Sequence, residues 1–353
     1  MAGISHNVPA FASSVSGVNP PSNANGDIYD VFDYHSWKSG AVPAWIAYDL
    51  SNVPTSQRGL VDVTWLNNTD AYLYTIGSGG TPQGMPKDYT IEANAAPGGT
   101  SAPTTGWVTL AGATGNIFHS RQHVVNLAGY NWIRMNITSV TGGTNVLLMH
   151  LDVQDLSQCN QALDSWIFYG DSITLGATNY QEYYDGSPDN FTLGQLVNAQ
   201  LPQYFPAQED GGTVGAGIVD AVNNIDAWLA VFPGKYVGVS YGTNDAGSMD
   251  PTTFYNYYAS VIQKVIAAGK IPLVSKIPWG KTTTIQTYGP GLNAQIDQLY
   301  VNYPQIIKGP DFWTFFQQNP GYMSSGDVHP TSDGYGHMRQ LWAQNMIQNV
   351  YTH

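Results

Sequence analysis

A serine, an asparagine and a histidine lie in three short segments whose composition suits nucleophilic chemistry. Ser172 stands in IFYGDSITLG, Asn244 in VSYGTNDAG and His329 in GDVHPTSDGYGHM. A serine hydroxyl becomes an effective nucleophile when a neighbouring histidine takes its proton, and an asparagine amide can donate a hydrogen bond to the oxyanion that forms. These residue types therefore indicate acyl transfer, provided that the fold brings them together.

The strands and the helix that are predicted around these segments should bring the three side chains together. The apolar runs at 165–170 and 235–241 are compact enough for strands that are buried on both faces, and Ser172 and Asn244 follow them closely. Ligands of parallel sheets collect beyond the carboxyl ends of the strands, so both side chains are expected at one edge of a sheet. His329 precedes a proline that can open a terminal helix.

Strand-like and helix-like segments alternate after Asp164. The run at 271–276 predicts another buried strand. Helices are predicted at Ile218–Val231, Thr252–Ala268 and Leu292–Tyr300, and from about Gly334 to Val350. This alternation predicts an α/β fold with a parallel sheet flanked by helices.

The first half of the chain has a different pattern. From about Ile28 to Val153, short apolar and aromatic runs are separated by Gly, Pro, Asn and Ser, which is typical of an antiparallel β-sandwich. The clearest runs are 45–50, 60–66, 71–76, 88–93, 131–137 and 145–153. We therefore predict an all-β domain at 1–155 and an α/β domain at 160–353, joined by Leu156–Leu163.

The three segments together resemble those of the SGNH (GDSL-type) hydrolases, over roughly residues 160–353. The family's order of Ser, Gly, Asn and His is kept. The resemblance implies a flavodoxin-like three-layer fold and hydrolysis of a carboxylic ester. It also implies that Ser172 is the nucleophile, that Asn244 donates to the oxyanion and that His329 is the general base. No metal or organic cofactor is needed for this mechanism.

The glycine of the family's second block has several candidates. The segment EDGGTVGAGIVDAV has glycines at 211, 212, 215 and 217. Gly215 lies 244 − 215 = 29 residues before Asn244, a spacing that fits the family, and Gly217 is the next choice. The expected oxyanion hole therefore consists of the backbone N–H groups of Ser172 and Gly215 and the side chain of Asn244.

The acid departs from the family's pattern. The family places an Asp three residues before the histidine, where this chain has Gly326, and Asp327 lies only two residues before it. In an extended segment, this shift reverses the direction of the carboxylate, which favours a backbone carbonyl as the group that orients His329. Some SGNH acetyl esterases with an N-terminal jelly-roll domain share the Asp-x-His-Pro sequence. Two alternatives stay open, a triad that includes Asp327 and a Ser-His dyad.

The amino-acid composition disfavours some classes of binding partner. The chain has 12 basic and 25 acidic residues, a net charge of −13, so nucleic acid and anionic membranes would repel it. Charged residues make up only 10%, and a neutral polar surface is common in extracellular polysaccharide-degrading proteins. The first fourteen residues lack the features of a signal peptide. The protein either stays inside the cell or has lost a signal peptide, and composition favours a secreted protein.

The N-terminal sandwich resembles the jelly-roll modules that accompany carbohydrate esterases, so the expected substrate is an acetylated polysaccharide or oligosaccharide. No long apolar segment that could form a lid, as in an interfacial lipase, accompanies the motifs. Tyr241 and Trp279 could stack on sugar rings. A general short-chain lipolytic or aryl esterase is the alternative enzyme, and a carbohydrate-binding protein with a decayed hydrolase domain is the non-catalytic alternative.

His119 and His123 are spaced i, i+4, but their surroundings predict strand and loop, which does not favour a metal site.

Overall fold

The structure is a computed structural model that describes residues 3–26, 35–67, 83–159, 164–178 and 192–352. The chain divides into two compact units. The first consists of Met1–Leu163, Pro202–Ala207 and Val231–Pro233, and the second of Asp164–Leu201, Gln208–Ala230 and Gly234–His353. The strand predicted at 71–76 lies outside the described residues, and the junction at Leu156–Leu163 is described only as far as Cys159.

The first unit is built from antiparallel strands. They are β1 (Ala10–Ala12), β2 (Trp37–Lys38), β3 (Ala44–Asp49), β4 (Leu60–Leu66), β5 (Met85–Asn94), β6 (Val108–Ala113), β7 (Ser120–Asn126), β8 (Trp132–Thr141), β9 (Leu147–Leu148) and β10 (His150–Asp155). One sheet has the order β1-β3-β8-β5-β6, a second has the order β10-β4-β7, and β2 pairs with β9. The prediction of an all-β domain is confirmed.

Alternation of side chains along β4 illustrates how the core of this unit forms. In β4, Val61, Val63 and Trp65 are fully buried and belong to one apolar cluster with residues of both large sheets. Successive side chains of a strand point to opposite faces, so Asp62 and Thr64 lie on the other face of β4. Burial of such alternating apolar side chains is the main term that stabilises a sandwich.

Two strand predictions differ from the structure. The run at 145–153, predicted as one strand, forms β9 and β10, because the chain changes partner at Met149 from β2 to β4. The first strand, β1, lies well before Ile28, where strand structure was expected to begin.

The second unit has strands and helices in alternation. Its strands are β11 (Ser165–Gly170), β12 (Ala207–Gly212), β13 (Tyr236–Ser240), β14 (Ile271–Val274) and β15 (Ile307–Lys308). Its helices are α1 (Ser172–Thr178), α2 (Leu193–Gln200), α3 (Ile218–Val231), α4 (Pro251–Ala267), α5 (Thr283–Asn302), α6 (Phe312–Gln318) and α7 (Ser332–Met346), and a π-helical turn follows at Ile347–Tyr351. The sheet has the order β12-β11-β13-β14-β15, with parallel pairing from β11 to β15.

Two neighbouring aromatic residues of strand β11 show that helices cover both faces of this sheet. The Phe168 ring contacts Trp342 of α7, and the Tyr169 ring contacts Trp228 of α3. Since adjacent residues of a strand point to opposite faces, α3 and α7 lie on opposite sides. The unit is therefore a three-layer α/β domain, which confirms the predicted fold class.

Helix α5 begins at Thr283 rather than at Leu292, the predicted start. The Thr282 side chain caps it by accepting the Ile285 N–H, and the helix continues through Pro290. Packing favours this course, because Gly289 lies against the Trp313 ring, where a larger residue would not fit.

Candidate active site

Ser172 is the first residue of α1 and follows the carboxyl end of β11. The turn between them is tight, because a Cβ on Gly170 would clash with the Thr174 side chain. The Asp171 carboxylate accepts the Ile173 N–H at 2.9 Å and so fixes the start of the helix. The Ser172 side chain is only partly buried and is therefore accessible from solvent.

His329 lies in a loop that brings its ring to Ser172. The distance from His329 Nε2 to Ser172 Oγ is 2.9 Å. The loop is closed by hydrogen bonds from Ser324 N–H to the His329 carbonyl oxygen, at 3.0 Å, and from Thr331 N–H to the Tyr322 carbonyl oxygen, at 2.8 Å. The ring is thus held at hydrogen-bonding distance from the serine hydroxyl, the arrangement that proton transfer requires.

The Asp327 carboxylate lies on the opposite side of the imidazole. Its Oδ1 is 3.0 Å from His329 Nδ1 and accepts the Val328 N–H at 2.6 Å. Desolvation raises the pKa of Asp327, but the hydrogen bonds from Val328 and His329 outweigh it and leave the pKa below its ordinary value. A carboxylate with such a pKa is ionised at neutral pH.

This geometry corrects the expectation that a backbone carbonyl orients His329. That expectation assumed an extended segment. The chain instead turns at Gly326, whose φ of +68° is a left-handed conformation that favours glycine. The turn redirects the next side chain, so Asp327 reaches the imidazole although it lies one residue closer than the family's pattern.

The turn after β12 contains a backbone N–H group, that of Gly215, to which no acceptor among the described residues is hydrogen-bonded. Gly215 has a φ of +78° and is exposed. The N–H of Gly217 donates to Asp220 Oδ2 at 2.8 Å. Of the two glycine candidates, Gly215 is therefore the one that could donate to a ligand.

Asn244 follows β13, at the same edge of the sheet as Ser172. Its Nδ2 donates to the Ala216 carbonyl oxygen at 2.9 Å, and the residue is exposed. A primary amide has two N–H donors, so one stays available for a ligand. The structure thus places Ser172, Gly215 and Asn244 at the ends of β11, β12 and β13, which are neighbours in the sheet.

Residues 168–337 match the family model of the GDSL-like lipase/acylhydrolase family. The second unit carries a GDSL-like hydrolase domain. No curated protein matches the sequence significantly.

Solved structures resemble parts of the chain. A lipase/acylhydrolase from Enterococcus faecalis is 19% identical with a TM-score of 0.42, covering 52% of this chain and 95% of that one. A Bacillus subtilis protein is 16% identical with a TM-score of 0.42, covering 96% of this chain and 88% of that one. A chitosan-binding module from a Paenibacillus chitosanase/glucanase is 21% identical with a TM-score of 0.32, covering 43% of this chain and 98% of that one.

Two buried carboxyl groups support the loops of the hydrolase domain, and sequence reasoning gave neither a role. Burial raises the pKa of Asp171 to about 6, although N–H groups of residues 173 and 174, the charge of His329 and a hydrogen bond from Thr243 lower it. Burial likewise raises the pKa of Asp245 to about 6. Each directly adjoins a predicted site residue, Ser172 or Asn244, and that adjacency is the only signal that the sequence offered.

The two aromatic candidates differ in accessibility. Tyr241 is only 2% exposed and its N–H faces the Tyr258 hydroxyl, so its ring cannot stack on a sugar and that prediction is wrong. Trp279 is partly exposed. The next residue, Gly280, lies against the histidine loop, since a Cβ there would be 3.2 Å from Val328 Cα. Trp279 is therefore next in sequence to a residue that lies against the loop carrying His329.

The described residues contain no group of three or more His, Cys, Asp or Glu side chains that could hold a metal ion. His119 Nδ1 lies 2.9 Å from the Val231 carbonyl oxygen, and His123 Nε2 lies 2.8 Å from the Tyr89 hydroxyl, so the two rings have separate partners. Nor does any helix in the described parts of the chain combine the length and apolar character needed to cross a membrane.

Proposed function

We propose that this protein is a serine esterase that removes short acyl groups, in particular O-acetyl groups, from a polysaccharide or oligosaccharide. The observation that carries the proposal is the aligned set of Ser172 Oγ, the His329 ring and the Asp327 carboxylate, at 2.9 Å and 3.0 Å. Nucleophile, base and orienting group within hydrogen-bonding reach are the arrangement that nucleophilic acyl transfer needs.

The first half of the reaction forms an acyl-enzyme. His329 Nε2 takes the proton of Ser172 as Oγ attacks the ester carbonyl carbon, and the carbonyl oxygen becomes an oxyanion. The N–H groups of Ser172 and Gly215 and the Asn244 amide donate to that oxyanion. When the tetrahedral intermediate collapses, the bond to the alcohol breaks and His329 gives its proton to the departing oxygen.

The second half releases the acid. His329 takes a proton from water, which attacks the acyl carbon, and the same donors hold the second oxyanion. Collapse breaks the bond to Ser172 Oγ, which recovers its proton from His329. Asp327 accepts the Nδ1–H throughout and stabilises the imidazolium that forms in each half.

The exposure of Trp279 and the amino-acid composition support a saccharide substrate. Trp279 is partly exposed and precedes Gly280, which lies against the histidine loop, and an aromatic face can stack on a sugar. The chain has few charged residues and a net charge of −13, which suits a neutral polymer. The same composition supports our proposal that the protein works outside the cell.

Acetate release from acetylated polysaccharides tests the substrate class, and p-nitrophenyl esters of increasing length test the acyl pocket. We expect kcat/KM to fall steeply from acetate to octanoate. A preference for octanoate, or no release from any acetylated polysaccharide, contradicts the proposal and favours a general short-chain lipolytic or aryl esterase.

A carbohydrate-binding protein with a decayed hydrolase domain is the non-catalytic alternative. The intact alignment of Ser172, His329 and Asp327 argues against decay. Turnover of p-nitrophenyl acetate that Ser172→Ala abolishes would exclude this alternative.

A further inference from the structure

The loop after β13 and the glycine turn after β12 meet beside the carboxyl end of β11, which Ser172 follows. In the sheet, β12 and β13 lie on either side of β11. The Asn244 amide donates to the Ala216 carbonyl oxygen at 2.9 Å, and the two oxygens of Asp245 accept the Ile218 N–H at 3.1 and 3.2 Å. The loop after β13 therefore binds the chain just after the glycine turn at two points, Ala216 and Ile218.

The Asp245 side chain is fixed in this contact. It is only 4% exposed, and a Cβ on Gly217 would lie 2.6 Å from its Oδ1, so glycine leaves the room that the carboxylate needs. Its own backbone is held as well, because its carbonyl oxygen accepts the N–H groups of Ser248 and Met249 at 3.1 and 3.0 Å. Without this carboxylate, the buried Ile218 N–H would lose its acceptor.

We propose that Asp245 is a positioning residue of the oxyanion hole, which fixes the Gly215 N–H relative to the Asn244 amide without touching the substrate. This inference rests on the proposed function. Hydrogen-bond donors stabilise an oxyanion only when they point at the place where its charge develops. The neutral carbonyl of the bound substrate depends less on their placement, so loss of Asp245 should lower kcat more than it changes KM.

The test is a double-mutant cycle of Asp245→Ala and Asn244→Ala, with kcat and KM measured for p-nitrophenyl acetate. We expect Asp245→Ala to lower kcat about 10- to 100-fold and to change KM less than about threefold. Both residues act on the same set of donors. The kcat of the double variant should therefore fall by a smaller factor than the product of the two single reductions in kcat. Asp245→Asn keeps one acceptor oxygen and should recover part of kcat.

Asp250→Ala is the matched control. The Asp250 carboxylate caps α4 by accepting the Thr252 and Thr253 N–H groups, each at 3.0 Å, but it is exposed and does not contact the glycine turn. We expect this variant to lower Tm through loss of a cap while kcat stays within about twofold of wild type.

The inference is overturned if Asp245→Ala keeps kcat within about twofold of wild type, or if the two losses multiply in full. If circular dichroism shows that Asp245→Ala does not fold, Asp245→Asn decides the question: kcat at least about threefold lower with an unchanged KM supports the inference, and an unchanged kcat overturns it. A wild-type protein without Ser172-dependent hydrolysis would instead refute the proposed function.

Discussion

Replacing Asp327 with asparagine removes a negative charge beside His329 and keeps the shape of the side chain. Asp327 Oδ1 faces both the Val328 N–H, at 2.6 Å, and His329 Nδ1, at 3.0 Å. The oxygen of the asparagine should take this place, because its NH₂ group would set donors against donors. The Nδ1–H tautomer is then kept, and Nε2 can still take the Ser172 proton.

The expected loss in kcat is about 10- to 30-fold. A hydrogen bond to a charged group contributes about 1.5–3 kcal/mol, and about 1.4 kcal/mol corresponds to a tenfold change in rate. Water screens this pair, since the Asp327 and His329 side chains are 49% and 37% exposed, so the lower part of that range applies. A loss of about 10⁴, which follows when a histidine takes the wrong tautomer, is not expected.

The assay is kcat and KM for p-nitrophenyl acetate at neutral pH. Asp333→Asn is the control, because Asp333 is an exposed acid in the first turn of α7, and this variant should keep kcat within about twofold of wild type. A loss above about 10³ for Asp327→Asn would mean that the tautomer is not kept. A loss below about threefold would mean that another group orients His329, as the sequence alone favoured. Either result refutes the reasoning.

Asn244→Ala removes one donor of the proposed oxyanion hole, so kcat with p-nitrophenyl acetate should fall about 10²–10³-fold with little change in KM. A loss that appears only in KM would contradict this role. Burial raises the pKa of Asp62 to about 7, so ionisation of Asp62 destabilises the fold as the pH rises from about 4 to about 7. Asp62→Asn should therefore raise the free energy of unfolding by up to about 4 kcal/mol at pH 8 and change it little near pH 4. Urea unfolding at both pH values measures the effect, and an equal effect at both would contradict it.

Elements with clear periodicity were predicted closely from the sequence. Strand β4 and helix α3 have the predicted bounds, because alternating or helical spacing of apolar residues coincides with burial in both. Helix α5 was predicted too short. The sequence Gly289-Pro290-Gly291, which by itself disfavours a helix, lies within it, and packing of Gly289 against Trp313 overrides that local preference. Strand β12 was missed because its sequence, AQEDGG, has Ala207 as its single hydrophobic side chain, although Glu209 and Asp210 are buried.

The candidate site likewise has features that the sequence predicted and features that it could not predict. Ser172 and Asn244 were placed from the strands that precede them, and parallel strands bring such positions to one edge without further information. The direction of Asp327 could not be predicted, because it depends on the left-handed turn at Gly326. Nor could the contact of Asp245 with the Ile218 N–H, which joins loops from strands that are not paired with each other.

Reaction with a serine-directed phosphonate, followed by mass spectrometry, tests the central claim most directly. A phosphonate copies the tetrahedral intermediate and reacts only with a serine that a base activates, so one equivalent should add to the protein as ester hydrolysis is lost. The adduct should lie on the peptide that contains Ser172, and Ser172→Ala should acquire none while its circular dichroism spectrum stays that of wild type. An adduct on another residue, or hydrolysis that persists in Ser172→Ala above a few per cent of wild-type kcat, would contradict the account.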